Sequence, residues 1–343
     1  MAQPERLRVA IAGAGMVTCY HLKAWSRIPG VEVVAIYNRH LDKALGRAAE
    51  FGIPKVYSDI TKMFDQEKPD ALDIAVSVEV HSEFARMAAE RGIHILCQKP
   101  MAPSFNEAEK LVDEVKGKAR FMVHENWRFR PQYRQAAIWI AEGKTGPINE
   151  FRFSTRSSGL LTRTESGRPF ALERQPFMAH MLRFLILELL IHHLDTARFL
   201  VGEMRVVCAR MARISTEVAG EDMALILLST EKGAIGTVSG NFSAAGAPSL
   251  PEDCLELIGE RSSIFFDNDT LTLTGEMNET IRFNLDEAYQ SSYDNAISHF
   301  VEALRTGQPF ETDCIDNLKT LRLVEDAYRF AETQSLSVNN DCL

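Results

Sequence analysis

The chain has 343 residues, 45% of them hydrophobic and 25% charged, a balance that excludes a disordered or collagen-like chain and leaves room for two globular domains. Lysine and arginine number 38 against 47 aspartates and glutamates, a formal net charge of -9 at pH 7. The long-range field therefore repels nucleic acid and anionic membranes, and neither is expected as a partner. Six cysteines, Cys19, Cys97, Cys208, Cys254, Cys314 and Cys342, are scattered without a Cys-x-x-Cys pair, the usage of a reduced, cytoplasmic protein. The polar start lacks the pattern of a signal peptide. The longest apolar stretch that could be taken for a membrane span, 184–191, contains Glu188 and is too short to cross a bilayer.

In chain order, strands are predicted at 7–12, 31–37 and 71–76, each followed by a helix, at 16–27, 41–51 and 80–91. Further strands at 93–97 and 120–124 flank a helix at 106–115. This alternation specifies a parallel sheet with helices on both faces, a doubly wound domain over residues 1–125. Beyond it the character changes. A helix at 132–142 ends at Gly143, and Gly146-Pro147 leads into an alternating strand at 148–156. After a polar, arginine-rich loop at 157–175, residues 177–201 are apolar almost all round, which predicts one buried helix.

At least five strand-like runs between 205 and 283, among them 224–229, 234–240, 254–259 and 264–267, predict an antiparallel sheet. Helices at 289–306 and 314–333 close the chain. The expected fold class is α/β: an N-terminal Rossmann domain at 1–125, then an α+β domain at 126–343 with a large, mainly antiparallel open sheet. The C-terminal helices are in a position to pack back on the first domain. A sheet with one uncovered face needs another surface to hide it, which predicts a homodimer or homotetramer.

At the first strand-to-helix turn stands Gly13-Ala14-Gly15-Met16-Val17-Thr18. The first glycine permits a tight turn and the second lets a pyrophosphate approach the backbone. The helix that follows aims its free N–H groups at the anion. Thr18 replaces the third glycine of the usual pattern, so the turn alone also fits a plain tight turn. Set between a strand and a helix, it reads as a dinucleotide site. About twenty residues on, where a carboxylate usually binds the adenosine ribose, the sequence has Asn38-Arg39. Asn38 can bond ribose without repelling a 2′-phosphate, while Arg39 can pair with that phosphate, stack on adenine or stay solvated. NAD and NADP both remain open.

Gln98-Lys99-Pro100 follows the fifth strand at the carboxyl edge of the predicted sheet, where ligands of such folds sit. A lysine there can hydrogen-bond a substrate hydroxyl; alone, it reads equally as a surface lysine. Glu188, His192 and Asp195 are spaced four and three apart, which sets them on one stripe of an apolar helix. Buried, they must face one another, Lys99 or a polar cleft. A structural acid–histidine pair fits the same stripe, and a metal site fits it on ligand type. His193 points about 100° away, a place for a secondary substrate contact. Asn126, Trp127 and Arg128 offer hydrogen bonds to sugar hydroxyls and an aromatic face to a sugar ring. A packed hinge between domains explains them as well.

Together, the glycine turn, Val80-His81-Ser82 after the fourth strand, Gln98-Lys99-Pro100 and the run 188–195 resemble the Gfo/Idh/MocA family of dinucleotide-dependent sugar and polyol oxidoreductases, in the right order and over nearly the whole chain. The family usually carries Glu-Lys-Pro and a later Asp-x-x-x-His. Here Gln98 and Glu188 stand at the acidic places. Gln98 does not carry over as an acid, and Glu188 keeps a carboxylate on a longer stem.

The resemblance implies NAD or NADP as cofactor, chemistry without a metal, and catalytic roles for Lys99 and His192, with Glu188 orienting the histidine. It places His81 and Lys99 at the cofactor beside Gly13, Gly15, Met16, Val17, Asn38 and Arg39, and Asn126, Trp127, Arg128, His193 and Asp195 at the substrate. His192 accepts the proton of a sugar or polyol hydroxyl while Lys99 binds that oxygen, and the hydride passes to nicotinamide. A histidine base predicts that kcat/KM for oxidation rises with pH through about 6.5. The runs 125–131 and 192–195 are similar to bacterial dehydrogenases of pentoses, which implies a pentose such as D-apiose as candidate substrate. Two other readings stay open: a dinucleotide or sugar sensor without catalysis, and a redox-neutral NAD-dependent glycosidase.

Overall fold

The computed structural model describes residues 6–338; Cys342 lies outside them. The chain divides into two units, one made of the chain up to Phe129 together with Tyr289–Lys319, the other of Arg130–Ala288 together with the chain from Thr320.

In the first unit six parallel strands, β1 (Leu7–Ala12), β2 (Val31–Tyr37), β3 (Lys55–Tyr57), β4 (Ala71–Ile74), β5 (His94–Gln98) and β6 (Phe121–His124), are ordered β3-β2-β1-β4-β5-β6. Helices α1 (Met16–Ser26), α2 (Leu41–Phe51), α3 (Ile60–Glu67), α4 (His81–Ala89) and α5 (Phe105–Val115) connect them. A parallel sheet covered on both faces buries its central strands completely, which is why β4 is buried at all four positions. The strand order reverses between β1 and β4, so the turns at their carboxyl ends open the crevice where such folds bind ligands. β3 and α3 do not appear in the sequence pattern: three and eight residues are too few for periodicity to register. The segment Tyr289–Lys319 supplies Tyr293, Ile297, Phe300 and Phe310 to the core around Val9, Trp25 and Leu96.

The second unit opens with α6 (Pro131–Ala141) and β7 (Ile148–Arg156), then a short α7 (Phe170–Arg174) and α8 (Ile191–Val201). Seven more strands follow: β8 (Met204–Ala212), β9 (Met223–Thr230), β10 (Ile235–Asn241), β11 (Glu252–Gly259), β12 (Ser262–Asp267), β13 (Thr270–Gly275) and β14 (Glu279–Arg282). The long helices α9 (Leu285–Thr306) and α10 (Cys314–Val338) complete the chain and contribute to both units. The eight-stranded sheet has the order β14-β13-β12-β11-β7-β10-β9-β8. Its pairs are antiparallel except β7 with β10, which run parallel; the chain leaves β7 through α8 and returns by way of β8 and β9.

Alternation along the strands sends Phe151, Phe153, Ile226, Leu228, Val238, Leu255 and Leu257 to a buried face. α8 lies against that face at β7. The opposite phase of β9 and β10 leaves Leu225 and Ile235 45% and 56% exposed.

Residues 177–201, expected as one buried helix, are broken into a 3₁₀ turn (Pro176–His180), a π-helical turn (Ile186–Leu190) and α8. Leu182, in the break, is 82% exposed. The carboxylate of Glu221 holds the restart by accepting the N–H groups of Phe184 and Ile186 at 3.1 and 3.0 Å. This partner lies far along the chain, so local periodicity carries no trace of it. Among the described residues no helix is long and apolar enough to cross a membrane.

Candidate active site

The glycine turn sits at the end of β1. Gly13 has φ +126, and a Cβ built there would lie 2.1 Å from the Ala75 carbonyl oxygen, so only glycine fits. Gly15 begins α1 without a side-chain cap, and a Cβ added to it would meet nothing within 4 Å. The first turn of α1 thus has no capping side chain, and the space beside Gly15 is open. That combination suits an anionic pyrophosphate. The residues present fit a dinucleotide. Asn38 spends its carbonyl on the His40 N–H at 2.8 Å, which leaves its amide protons as donors, and Arg39 is exposed. Arg47 also reaches this turn, its Nη2 lying 3.3 Å from the Gly15 carbonyl oxygen; nothing in the local sequence marks it.

Lys99 is half-buried immediately after β5, and the Lys99–Pro100 peptide is cis. His81 secures the turn from α4. Its Nδ1 lies 2.9 Å from the Pro100 carbonyl and its Nε2 3.1 Å from that of Val76. A neutral imidazole carries one N–H, so the ring donates to one of these carbonyls and only approaches the other. Burial pushes the imidazole below the ordinary histidine range, against the smaller pull of the two carbonyls.

The residues after β6 are also occupied. Asn126 donates to Ser292 Oγ at 2.7 Å. Arg128 donates to the Glu311 carbonyl at 3.0 Å and to Asp316 at 3.3 Å. Trp127 packs edge-on against Tyr289 with ring centroids 6.2 Å apart. All three side chains are buried inside the first unit.

In the second unit His192 and His193 occupy the first turn of α8, both buried. Glu188 is half-buried on the π-helical turn before it. The four-residue step from Glu188 to His192 crosses this π-to-α junction. Asp195 accepts from Thr320 Oγ1 at 2.9 Å and lies 4.0 Å from Arg198 Nη1. An acid–histidine pair here joins His193 Nε2 to Asp253 Oδ1 at 2.8 Å. Asp253 Oδ2 further accepts from Arg130 at 3.1 Å and Tyr133 at 3.2 Å. Burial and then the Asp253 charge push the Tyr133 hydroxyl well above its usual range, so it stays protonated and donates to the carboxylate.

The first unit thus carries a dinucleotide cradle with a lysine at a sheet edge, and the second a helix start with two adjacent histidines. An ammonium can donate to a hydroxyl oxygen and an imidazole can take up a proton, and a dinucleotide cradle suits hydride transfer. Comparison with known proteins agrees. The oxidoreductase family with an NAD-binding Rossmann fold, Gfo/Idh/MocA, matches residues 7–125, and the Gfo/Idh/MocA C-terminal domain matches residues 133–265.

The chain belongs to the Gfo/Idh/MocA oxidoreductase family.

Within the family it is similar to the D-apiose dehydrogenase of Paraburkholderia graminis, 32% identical over 94% of this chain and 87% of that one. The D-apiose dehydrogenase of Rhizobium rhizogenes is 30% identical over 95% of both chains. An oxidoreductase from Agrobacterium radiobacter, solved in complex with NAD+, L-tartaric acid and magnesium, matches with a TM-score of 0.88 at 29% identity, covering 95% of this chain and 96% of that one. The Gfo/Idh/MocA chain described here is a nicotinamide-dependent dehydrogenase acting on a CH–OH group of a sugar or polyol.

Proposed function

We propose that this protein is a pentose dehydrogenase with D-apiose as its first candidate substrate. The observation that carries the reading is similarity over 94% and 95% of the chain to two D-apiose dehydrogenases, in a sequence that keeps Lys99 and His192. A bound nicotinamide would supply the hydride acceptor for the carbinol carbon. His192 takes the hydroxyl proton, Lys99 hydrogen-bonds the same oxygen and offsets its developing negative charge, and Glu188 orients the histidine. The backbone at Gly13, Gly15, Met16 and Val17 holds the pyrophosphate, and Asn38 and Arg39 serve the adenosine end. Asn126, Trp127, Arg128, His193 and Asp195 serve the substrate in this reading, each also bonded or packed within its own unit.

Initial rates with D-apiose, other aldoses and polyols, each with NAD and NADP, test this through the absorbance of reduced nicotinamide. D-Apiose is expected to give the highest kcat/KM. Lys99→Ala and His192→Ala should each lower kcat by about 10² or more while leaving dinucleotide affinity nearly unchanged. The double substitution should cost less than the product of the two, because both act on one oxygen. Dinucleotide binding without turnover would favour the sensor, and product without net reduction the redox-neutral glycosidase.

Two coarser properties belong with this reading. Self-association through the open sheet face is supported by the exposed Leu225 and Ile235. A cytoplasmic place is supported by Cys19, Cys97, Cys208, Cys254 and Cys314, all free thiols.

A further inference from the structure

Behind the turn that bears Lys99, wholly inside the first unit, runs a buried chain of hydrogen bonds. Asp73 on β4 accepts the Nδ1–H of His21 at 2.8 Å and the indole N–H of Trp25 at 2.7 Å. With Nδ1–H committed to the carboxylate, the neutral His21 ring presents Nε2 as an acceptor. Gln98 Nε2 lies 2.6 Å from that atom, and 3.1 Å from His124 Nδ1. An amide nitrogen carries two protons, so Gln98 donates one to each ring. The ring centroids of His21 and His124 are 4.3 Å apart, with Tyr293 at 5.4 and 5.2 Å from them. Asp73, His21 and His124 are fully buried. The titratable groups around the amide are thus Asp73 from β4, His21 from α1, His124 from β6, Tyr293 from α9 and, on β5, Cys97, whose thiol burial pushes well up. Lys99 is its neighbour in sequence.

The two ends of this chain give it its meaning. His21 stands on α1, the helix that starts at the glycine turn, and Gln98 immediately precedes Lys99. We propose that Gln98 is a positioning residue: its amide, donating to His21 and His124, fixes the tautomer of both rings and holds the Lys99 turn against the dinucleotide helix through a bridge that does not titrate. A carboxylate at this position accepts only, and would face two acceptor nitrogens. His124 could meet it by shifting its proton to Nδ1, whereas the His21 bond, with Nδ1–H held by Asp73, would form only after a proton had been taken up by the carboxylate or by that ring. The inference rests on reading Lys99 as the ligand of the substrate oxygen. The buried network itself is independent of that reading.

Three measurements on the full chain test it. Imidazole ¹H–¹⁵N correlations of the neutral rings in the wild type, recorded at pH 8.5, should show His21 protonated at Nδ1 and His124 at Nε2. The acetylation rate of Lys99, followed by peptide mass spectrometry, should change at least about threefold in Gln98→Met, which keeps the side-chain length and removes both donors. With a turned-over sugar, Gln98→Met should lower kcat by about ten- to a hundredfold at every pH, with dinucleotide Kd within about twofold, since a small misplacement of a reacting group costs on that scale. Gln98→Glu should lose comparably at pH 8.5 and recover relative to wild type as pH falls, a profile that loss of packing alone does not produce. The opposite tautomers, or unchanged labelling and kcat in Gln98→Met, would overturn the proposal. If the wild type turns over no sugar, the dehydrogenase reading of Lys99 falls, while tautomers and labelling still decide the role of Gln98.

Discussion

At the scale of residues, His192 and His193 are neighbours in sequence to which the proposed function gives different work. His193 is fully buried against Asp253 at 2.8 Å, so His193→Ala breaks a buried pair and should cost about 3 kcal/mol of stability. That is the low end of the usual range, because Arg130 and Tyr133 still hold the carboxylate. Urea unfolding measures the loss; a change under about 1 kcal/mol would remove Asp253 from its structural role. His192→Ala should instead be felt in kcat. The two histidines were equally visible in sequence, and so was Lys99, because each lies in a short local pattern. Asp253 was hidden by its distance along the chain, yet it had a signal: it occupies the inward phase of β11, in step with the buried Leu255 and Leu257. Asp73, set in the wholly buried β4, carries a similar mark. An acid in an inward position has to be met by a partner, and the partners, His193 and His21, are histidines whose roles spacing alone could not assign.

At the scale of elements, the turn carrying Lys99 is held from both flanks, by the Gln98 amide on one side and by His81 bonding the Pro100 carbonyl on the other. His81 makes this turn sensitive to acid. Burial lowers its folded pKa below the ordinary 6.5, so the unfolded chain binds the proton first. The stability His81 contributes is present above about 6.5 and is lost as pH falls through that value toward the folded one. Urea midpoints at pH 7.5, 6.5 and 5.5 should therefore decline, with His81 contributing at most about 1.4 kcal/mol per pH unit. His81→Asn should show a shallower decline. It should not be flat, since burial and then Arg120 lower His94 in the same way. Equal slopes in both proteins would mean that the imidazole at 81 is not held neutral. The π-helical turn before α8 shows the limit of periodicity at this scale. A period of 3.6 cannot register a single wider turn, and the Glu221 carboxylate that secures its start arrives from 35 residues away.

At the scale of the whole molecule, alternating strands and helices made the parallel sheet legible, and consecutive alternating strands made the second sheet legible, because each pattern admits few topologies. The parallel pairing of β7 with β10 was not legible, since strand order depends on which partner a strand meets after a long excursion. The outward phase of the second sheet carries a further consequence. Leu225 and Ile235 lie on the same face, in register through Ser229 and Ser239, and an apolar face of this kind is normally hidden by a symmetric copy. Leu225→Glu with Ile235→Glu replaces two exposed side chains, so folding should be little affected. Placed in a two-fold interface, the same change sets like charges against each other across the axis. Sedimentation at micromolar concentration should then show a dimer or tetramer for the wild type and a smaller species for the double variant, with the same circular dichroism. A wild type that sediments as a monomer, or a variant that keeps its size, would mean that these strands face solvent and that any assembly uses another surface.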